Sequence, residues 1–367
     1  MDQPVRVGII GCGQIGTQHI ATYKKNPAAK IVVFCDANLA AAEAAAASYG
    51  SGDVTSNYLD VLNRDDVDSV DVCLHNNFHA PITIAALKAG KHVYCEKPMA
   101  GSYTDAVAMM AAAKETGKKL HIQLATLYTN EARAAKELID ARELGQLYHA
   151  RSTGFRRRGR PFVDGYGTSS FVQKKTASGG ALYDMGVYHI SQILYLLGNP
   201  DVKRISGKTY QKVAMEEGRR ASSNYDVEEF AVGLVRFAGG LSMDLVESWA
   251  ANADGFGPSM VLGDVAGVSL FPFGYFKNVG HLSFSATADL GSAGSRWNSL
   301  TETGPYFGES QAHWIAALQG KVELLPTAEI ALNTMLISEG IYLSEKLDRE
   351  VTSEEVQTSS VSTAVVI

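Results

Sequence analysis

The chain runs to 367 residues, 46% apolar and 20% charged, the balance of a globular protein too long for one ordinary core. Its 33 basic against 39 acidic side chains leave a net charge of −6, which argues against a nucleic acid or an anionic membrane as the main partner. No apolar run approaches the roughly 20 residues of a membrane span, and the start, MDQPVRVGIIG, lacks the basic region and cleavage site of a secretion signal. A cytoplasmic location is expected.

In chain order, VRVGII (5–10) reads as a short β-branched strand, followed by a Gly-rich turn and a helix through IGTQHIATYKK (15–25). KIVVFCD (30–36) is a second buried strand, and NLAAAEAAAASYG (38–50) an alanine-rich helix stopped by Gly50. SVDVCL (69–74), PITIAALKAG (81–90) and KHVYCE (91–96) continue the alternation, then a helix at 102–117 and a strand KLHIQLA (119–125). Strands separated by helices imply a parallel, doubly wound sheet. The four cysteines, Cys12, Cys35, Cys73 and Cys95, all fall near strand ends with no CxxC, so they read as reduced, buried thiols, and no metal site is expected.

The texture changes after about residue 123. A long helix (130–145) leads into LYHARSTGFRRRGRPF (147–162), and another helix begins near Gly180. Alternating runs with Gly pairs at their turns, such as FAVGLVRFAGGLSMDLVESW (230–249), then predict an antiparallel sheet with one face packed on helices. Helices return at 310–320 and 327–347, and the polar tail from Thr352 is expected to be weakly ordered. The chain thus divides into an α/β domain over 1–123 and an α+β domain over 124–367, joined without a low-complexity linker.

GCGQIG (11–16) follows a strand and opens a helix, the context in which a GxGxxG has mechanical meaning. Gly11 permits the tight turn, Gly13 lets the backbone approach a pyrophosphate, and Gly16 lets helix and strand pack closely. The helix N-terminus, through Cys12, Gln14 and Ile15, offers free N–H groups to the anion. Asp36, twenty residues after Gly16, ends the second strand, where its carboxylate can accept from both ribose hydroxyls and would repel a 2′-phosphate. No arginine follows it, so NAD is expected rather than NADP.

With that fold in place, HNNFHAPITIAALKAGKHVYCEKPMA (75–100) resembles the Gfo/Idh/MocA oxidoreductases, the family of glucose–fructose oxidoreductase and inositol dehydrogenase. ELGQLYHARS (143–152), GGALYDMGVYHISQILYLLG (179–198) and PTAEIALNTMLISEGIYLSEKLDREV (326–351) carry the resemblance through the second domain. The resemblance implies a Rossmann NAD-binding domain over 1–123. It implies a substrate-binding and oligomerisation domain over 124–367 with an open-faced, mainly antiparallel sheet, through which a homodimer or homotetramer forms. It also implies that Lys97 lies beside the nicotinamide on the reacting hydroxyl and that the Lys97–Pro98 bond is cis. His75, Asn77, His79 and Glu96 are expected near the cofactor, although His75-Asn76-Asn77 stands where many members have Thr-Pro-Asn.

At about 100° per residue, Asp184, Tyr188, Ser191 and Tyr195 form one polar helix stripe, so Asp184 and Tyr188 can share a pocket. His189 then points roughly 100–140° away from both. Lys97, Asp184 and Tyr188 are the expected catalytic set for alcohol–carbonyl interconversion, Tyr188 as acid/base, Asp184 as orienting acceptor and Lys97 as hydroxyl ligand. Whether Tyr188 or His189 is the acid/base stays open. Tyr188 and Lys97 both need their proton affinities lowered for work at neutral pH, by neighbouring cations and by desolvation respectively. Tyr166, in the Gly-rich loop before the helix, and His189 are further expected substrate contacts. Arg151, Arg156, Arg157, Arg158 and Arg160 either bind an anionic substrate group or pair with carboxylates. The function that the resemblance implies is NAD-dependent oxidation of a secondary hydroxyl of a sugar, glycoside or polyol. A redox-neutral NAD-dependent sugar conversion and a non-catalytic NAD-binding regulator are the alternatives.

Overall fold

The computed structural model describes residues 3–367. Six parallel strands form the first sheet: β1 (Val5–Ile10), β2 (Ala29–Cys35), β3 (Asp53–Thr55), β4 (Ser69–Val72), β5 (His92–Cys95) and β6 (Leu120–Ile122), in the order β3-β2-β1-β4-β5-β6. Beyond the expected strands, the short and largely exposed β3 extends one edge. Five helices connect them: α1 (Gln14–Lys24), α2 (Leu39–Tyr49), α3 (Tyr58–Leu62), α4 (Asn76–Lys88) and α5 (Tyr103–Thr116). The order reverses between β1 and β4, which opens a crevice at the carboxyl ends of the strands.

The second sheet has nine strands. They are β7 (Leu147–Phe155), β8 (Val202–Tyr210), β9 (Phe230–Phe237), β10 (Ser242–Ser248), β11 (Met260–Gly263), β12 (Ala266–Ser269), β13 (Gly274–Val279), β14 (Leu282–Ala286) and β15 (Val351–Thr352). Their order is β14-β13-β12-β11-β7-β10-β9-β8-β15, antiparallel throughout except for β7 and β10. Helix Thr327–Leu347 lies on β8 and β9, where glycines let it approach: a Cβ on Gly207 would stand 2.8 Å from Ile341. The edge hairpin β13–β14 leaves Phe276, Val279, Leu282 and Phe284 exposed.

Helix Ser310–Leu318 returns to the first sheet. Its Trp314 is fully buried among Val7, Ile9, Ile31 and Tyr94, and its indole N–H donates to Ser69 Oγ at 3.1 Å. Burial of an aromatic side chain contributes about 1.5–3 kcal/mol, enough to seat this helix in the same cluster as α1 and α2.

The tail from Thr352 is ordered, contrary to its polar composition. Thr352 and Glu355 form a capping box that starts helix Ser353–Ser359. Beyond it, Ser362 Oγ and the Thr363 N–H donate to the buried carboxylate of Asp105 at 2.6 and 2.9 Å. Pro81 in α4 has no N–H for the main-chain oxygen of Asn77 four residues before it, and the Val365 N–H takes that oxygen at 3.2 Å. The tail's polar groups order it because buried acceptors need donors.

Candidate active site

The glycine loop has the geometry its spacing implies. Gly11 has φ +100, and a Cβ there would lie 2.2 Å from the Cys73 carbonyl oxygen; one on Gly16 would lie 2.1 Å from Gly11 O. Gly13 is different: a Cβ there meets nothing within 4 Å, so the chain between Gly13 and Gln14 faces open space. Gly13 caps α1 without a side-chain bond, which leaves first-turn N–H groups pointing outward. Asp36 is held beside the loop, its Oδ2 accepting from Cys12 N at 2.8 Å and its Oδ1 from Asn38 N at 2.9 Å. Open glycine, free helix N–H groups and a fixed carboxylate fit the pyrophosphate and ribose of a dinucleotide. All four cysteines are buried and unpaired in disulfides, and burial pushes the Cys12 thiol up to about 12.

Lys97 leaves β5 through a cis bond to Pro98. Its ammonium donates to Asp184 O at 2.9 Å and Oδ1 at 3.0 Å, and stands 4.5 Å from the centre of the Tyr188 ring. The other Asp184 oxygen accepts from the indole N–H of Trp249 at 2.9 Å and lies 3.7 Å from Arg156. Burial alone would lower Lys97, but Asp184, Tyr188 and Glu96 outweigh it and hold the lysine above its ordinary value. Burial would raise Asp184, and Lys97 more than offsets that. Tyr188 is raised, because its desolvation exceeds the pull of Lys97. The expected lowering of both Lys97 and Tyr188 is therefore reversed in the protein alone: the site holds an ammonium, a carboxylate and a neutral phenol.

The helix bearing these groups is anchored by an acid the sequence did not flag. Buried Glu228 accepts from Gly180 N and Leu182 N, both at 2.9 Å. A π-turn over Leu182–Gly186 precedes helix Val187–Leu196. An i→i+5 turn takes more residues per revolution, so His189 swings closer to the Asp184 face than uniform α-helical steps place it. Between Ala181 and Leu194 the residues that are not buried are Asp184, Tyr188 and His189. Ser191, expected on the same stripe, is fully buried, its hydroxyl on Tyr188 O.

Three residues expected at the cofactor turn inward instead. Glu96 accepts from the Lys97 N–H at 2.8 Å with Oε2, and its Oε1 lies 2.9 Å from His19 Nε2. His79 is fully buried with its ring nitrogens against Pro98 O and Leu74 O. Asn77 donates to Lys175 O at 2.6 Å and accepts from Ser178 and Thr363 hydroxyls. These groups are consumed by the fold because buried polar atoms must be paired. His75 remains exposed at the start of α4, its ring edge-on to Phe171. Tyr166 sits at the rim, its hydroxyl donating to Gly159 O at 2.8 Å and accepting from Arg156.

Of the five arginines, Arg160 is wholly buried with Asp164 and Glu229, Arg158 pairs with Asp164, and Arg151 with Asp244. Arg156 alone of the five has an ion pair with Asp184. The residues missed are Trp249, Glu247, Glu228 and His19. His19 Nδ1 lies 3.0 Å from Asp71 and 3.2 Å from the Cys73 sulfur. Burial opposes charge on this ring, yet Asp71 outweighs it and keeps His19 well above its ordinary value. Among the described residues His19, Asp71 and Cys73 are the group compact enough to hold a metal, but their polar atoms already satisfy one another. The acid inside the apolar run SVDV was the available signal for this network.

The Gfo/Idh/MocA oxidoreductase family model, an NAD-binding Rossmann fold, matches residues 5–124, and the model of that family's C-terminal domain matches residues 132–264. D-glucoside 3-dehydrogenase of Escherichia coli (strain K12) is 33% identical over 277 residues, 73% of this chain and 78% of that protein. Inositol 2-dehydrogenase of Salmonella typhimurium (strain LT2) is 29% identical over 206 residues, 55% and 56% of the two chains. The structure of a levoglucosan dehydrogenase in complex with NADH and levoglucosan superposes with a TM-score of 0.77 at 21% identity, covering 96% of this chain and 100% of that one. An oxidoreductase domain protein from Kribbella flavida shares the fold with a TM-score of 0.80 at 20% identity, covering 96% and 99%. With both of its domain models matched across more than half the length, the chain belongs to the Gfo/Idh/MocA family of oxidoreductases and carries that family's NAD-binding Rossmann domain.

Proposed function

We propose that this protein oxidises a secondary hydroxyl of a sugar, glycoside or polyol, with Lys97, Asp184 and Tyr188 acting on the reacting oxygen. The observation that carries the reading is the single ammonium of Lys97 held at 2.9 and 3.0 Å by Asp184 and 4.5 Å from the Tyr188 ring. Bound NAD supplies the hydride acceptor. Lys97, kept charged by Asp184, donates to the reacting oxygen and stabilises negative charge as it develops there. Tyr188, a neutral phenol beside the ammonium, must first lose its own proton to solvent, which Lys97 and the positive charge of a bound oxidised nicotinamide would favour; the phenolate then accepts the substrate's hydroxyl proton. Asp184, fixed by Trp249, aims the lysine and accepts a neighbouring substrate hydroxyl.

Sugar or polyol chemistry is supported by the relatives named D-glucoside 3-dehydrogenase and inositol 2-dehydrogenase. The nucleotide is assigned to residues 1–123 and the sugar to 124–367, with self-association through the exposed hairpin β13–β14. Mixing the protein with NAD and a panel of glycosides, sugars and polyols tests the reading through NADH absorbance, beside mass analysis of products. NADH accumulation with one sugar class is the expected result. Conversion of sugar without NADH would replace it with a redox-neutral cycle, and nucleotide binding with no conversion of any sugar would leave a non-catalytic binder.

A further inference from the structure

His189 stands against a carboxylate that no motif announced. Glu247, fully buried near the end of β10, holds its Oε2 3.0 Å from His189 Nδ1. Two glycines, Gly154 on β7 and Gly186 just before the helix of His189, make room for the pair. A Cβ on Gly154 of β7 would lie 2.1 Å from Glu247 Oε2 and 2.4 Å from His189 Nδ1, and one on Gly186 would lie 3.1 Å from Glu247 Cγ. Gly154 and Glu247 are direct partners in the β7–β10 register. Two residues further along each chain, on the same faces, Arg156 and Trp249 reach Asp184. The dyad therefore lies one side-chain layer from the Lys97–Asp184 contact, on the side of the helix that stays open. His189 Nε2, opposite the nitrogen turned to Glu247, has no hydrogen-bond partner among the described residues, and a quarter of the side chain is exposed.

We propose that His189, held by Glu247, is a second substrate anchor, donating from Nε2 to another hydroxyl of the substrate whose reacting oxygen Lys97 holds. The inference rests on the dehydrogenase reading above and deepens it: the site reads two oxygens of a polyhydroxy compound. Glu247 is a positioning residue, acting through the ring. A carboxylate behind Nδ1 holds a proton there, so the outward Nε2 is an N–H donor when the ring is charged and an acceptor when it is neutral. The charged groups facing the ring are Glu247 from β10, Arg156 from beyond β7 and Asp184 from its own helix. Burial would lower His189, but Glu247, aided by Asp184 and opposed by Arg156, raises it above its ordinary value. A charged N–H donor binds oxygen about twice as strongly as a neutral one, and a substrate lacking that oxygen leaves it unpaired.

The test uses the full chain with NAD, a sugar that the wild type oxidises and the single-deoxy analogues of that sugar. His189→Gln is expected to raise KM about 10–100-fold with kcat little changed, and one deoxy analogue, poor with wild type, loses nothing further. Glu247→Gln keeps the shape of the buried side chain and removes its charge. His189 then loses its proton at lower pH, so the rise of KM with pH begins earlier; a structural role would not move it. An unchanged KM–pH profile in Glu247→Gln, or equal losses on all analogues in both proteins, overturns the proposal. Calorimetry of sugar binding to the NADH complex separates the two readings. Binding weakened by His189→Gln in a protein without turnover keeps the anchor and overturns the dehydrogenase assignment. Binding indifferent to His189→Gln overturns the anchor.

Discussion

Lys97 and Asp184 meet twice, the ammonium donating both to the main-chain oxygen of Asp184 at 2.9 Å and to its carboxylate at 3.0 Å. The pair ties the end of β5, in the first sheet, to the π-turn that precedes helix Val187–Leu196. Lys97→Met is expected to leave the fold and NAD binding intact and to lower turnover by about 10²–10⁴-fold. Fluorescence titration with NADH beside steady-state rates checks it; turnover near that of the wild type would remove Lys97 from the chemistry.

The same pair predicts a pH window. Asp184 lies below its ordinary value and Lys97 above its own. A depressed acid contributes stability above its unfolded value, lost as pH falls through the folded one. A raised lysine contributes below its unfolded value, lost as pH rises through the folded one. The stability gap between wild type and Asp184→Asn should be flat from about pH 5 to pH 9 and shrink below about pH 4. Thermal melts across that range measure it, and a gap that widens in acid would contradict the assignment.

Two of the three loop glycines, Gly13 and Gly16, should separate. Gly13→Ala has free space, so its melting temperature should stay near wild type while NAD affinity falls. Gly16→Ala drives a Cβ to 2.1 Å from Gly11 O and should destabilise the protein before any ligand is added. Equal melting losses in the two variants would refute the distinction.

If Asp36 faces the ribose, as its place after β2 implies, Asp36→Ser removes the charge there, and the preference for NAD over NADP should fall about 10–100-fold, the size of one or two hydrogen bonds to a charged group. Paired kcat/KM values for the two cofactors provide the ratio.

Leu282 is 63% exposed on the edge hairpin, beside half-exposed Phe284. On the proposed self-association, this exposed apolar patch is the surface that a second copy would cover. Leu282→Glu should halve or quarter the mass measured by light scattering without lowering NAD affinity; a monomeric wild type would end the argument.

Much of this was legible in the residues themselves. Hydrophobic period, glycine spacing and the acid after β2 sufficed for the parallel sheet, the nucleotide loop and the place of Lys97, because each depends on contacts close in sequence or on backbone freedom that only glycine has. The direction of His189 was not legible. It depends on a π-turn whose first N–H groups are held by Glu228, 46 residues or more away in the chain, and on room left by Gly154 of β7. Nor was it visible that Glu96, His79 and Asn77 would be spent inside, or that a polar tail would be ordered by Asp105. A side chain's type states what it can bond. Which partner it meets is decided when distant strands and helices bury it, and a buried polar group takes whatever partner the packing supplies. The chain by itself determined the fold and the nucleotide-binding loop; the tertiary structure alone decided which polar groups are spent inside and which stay open.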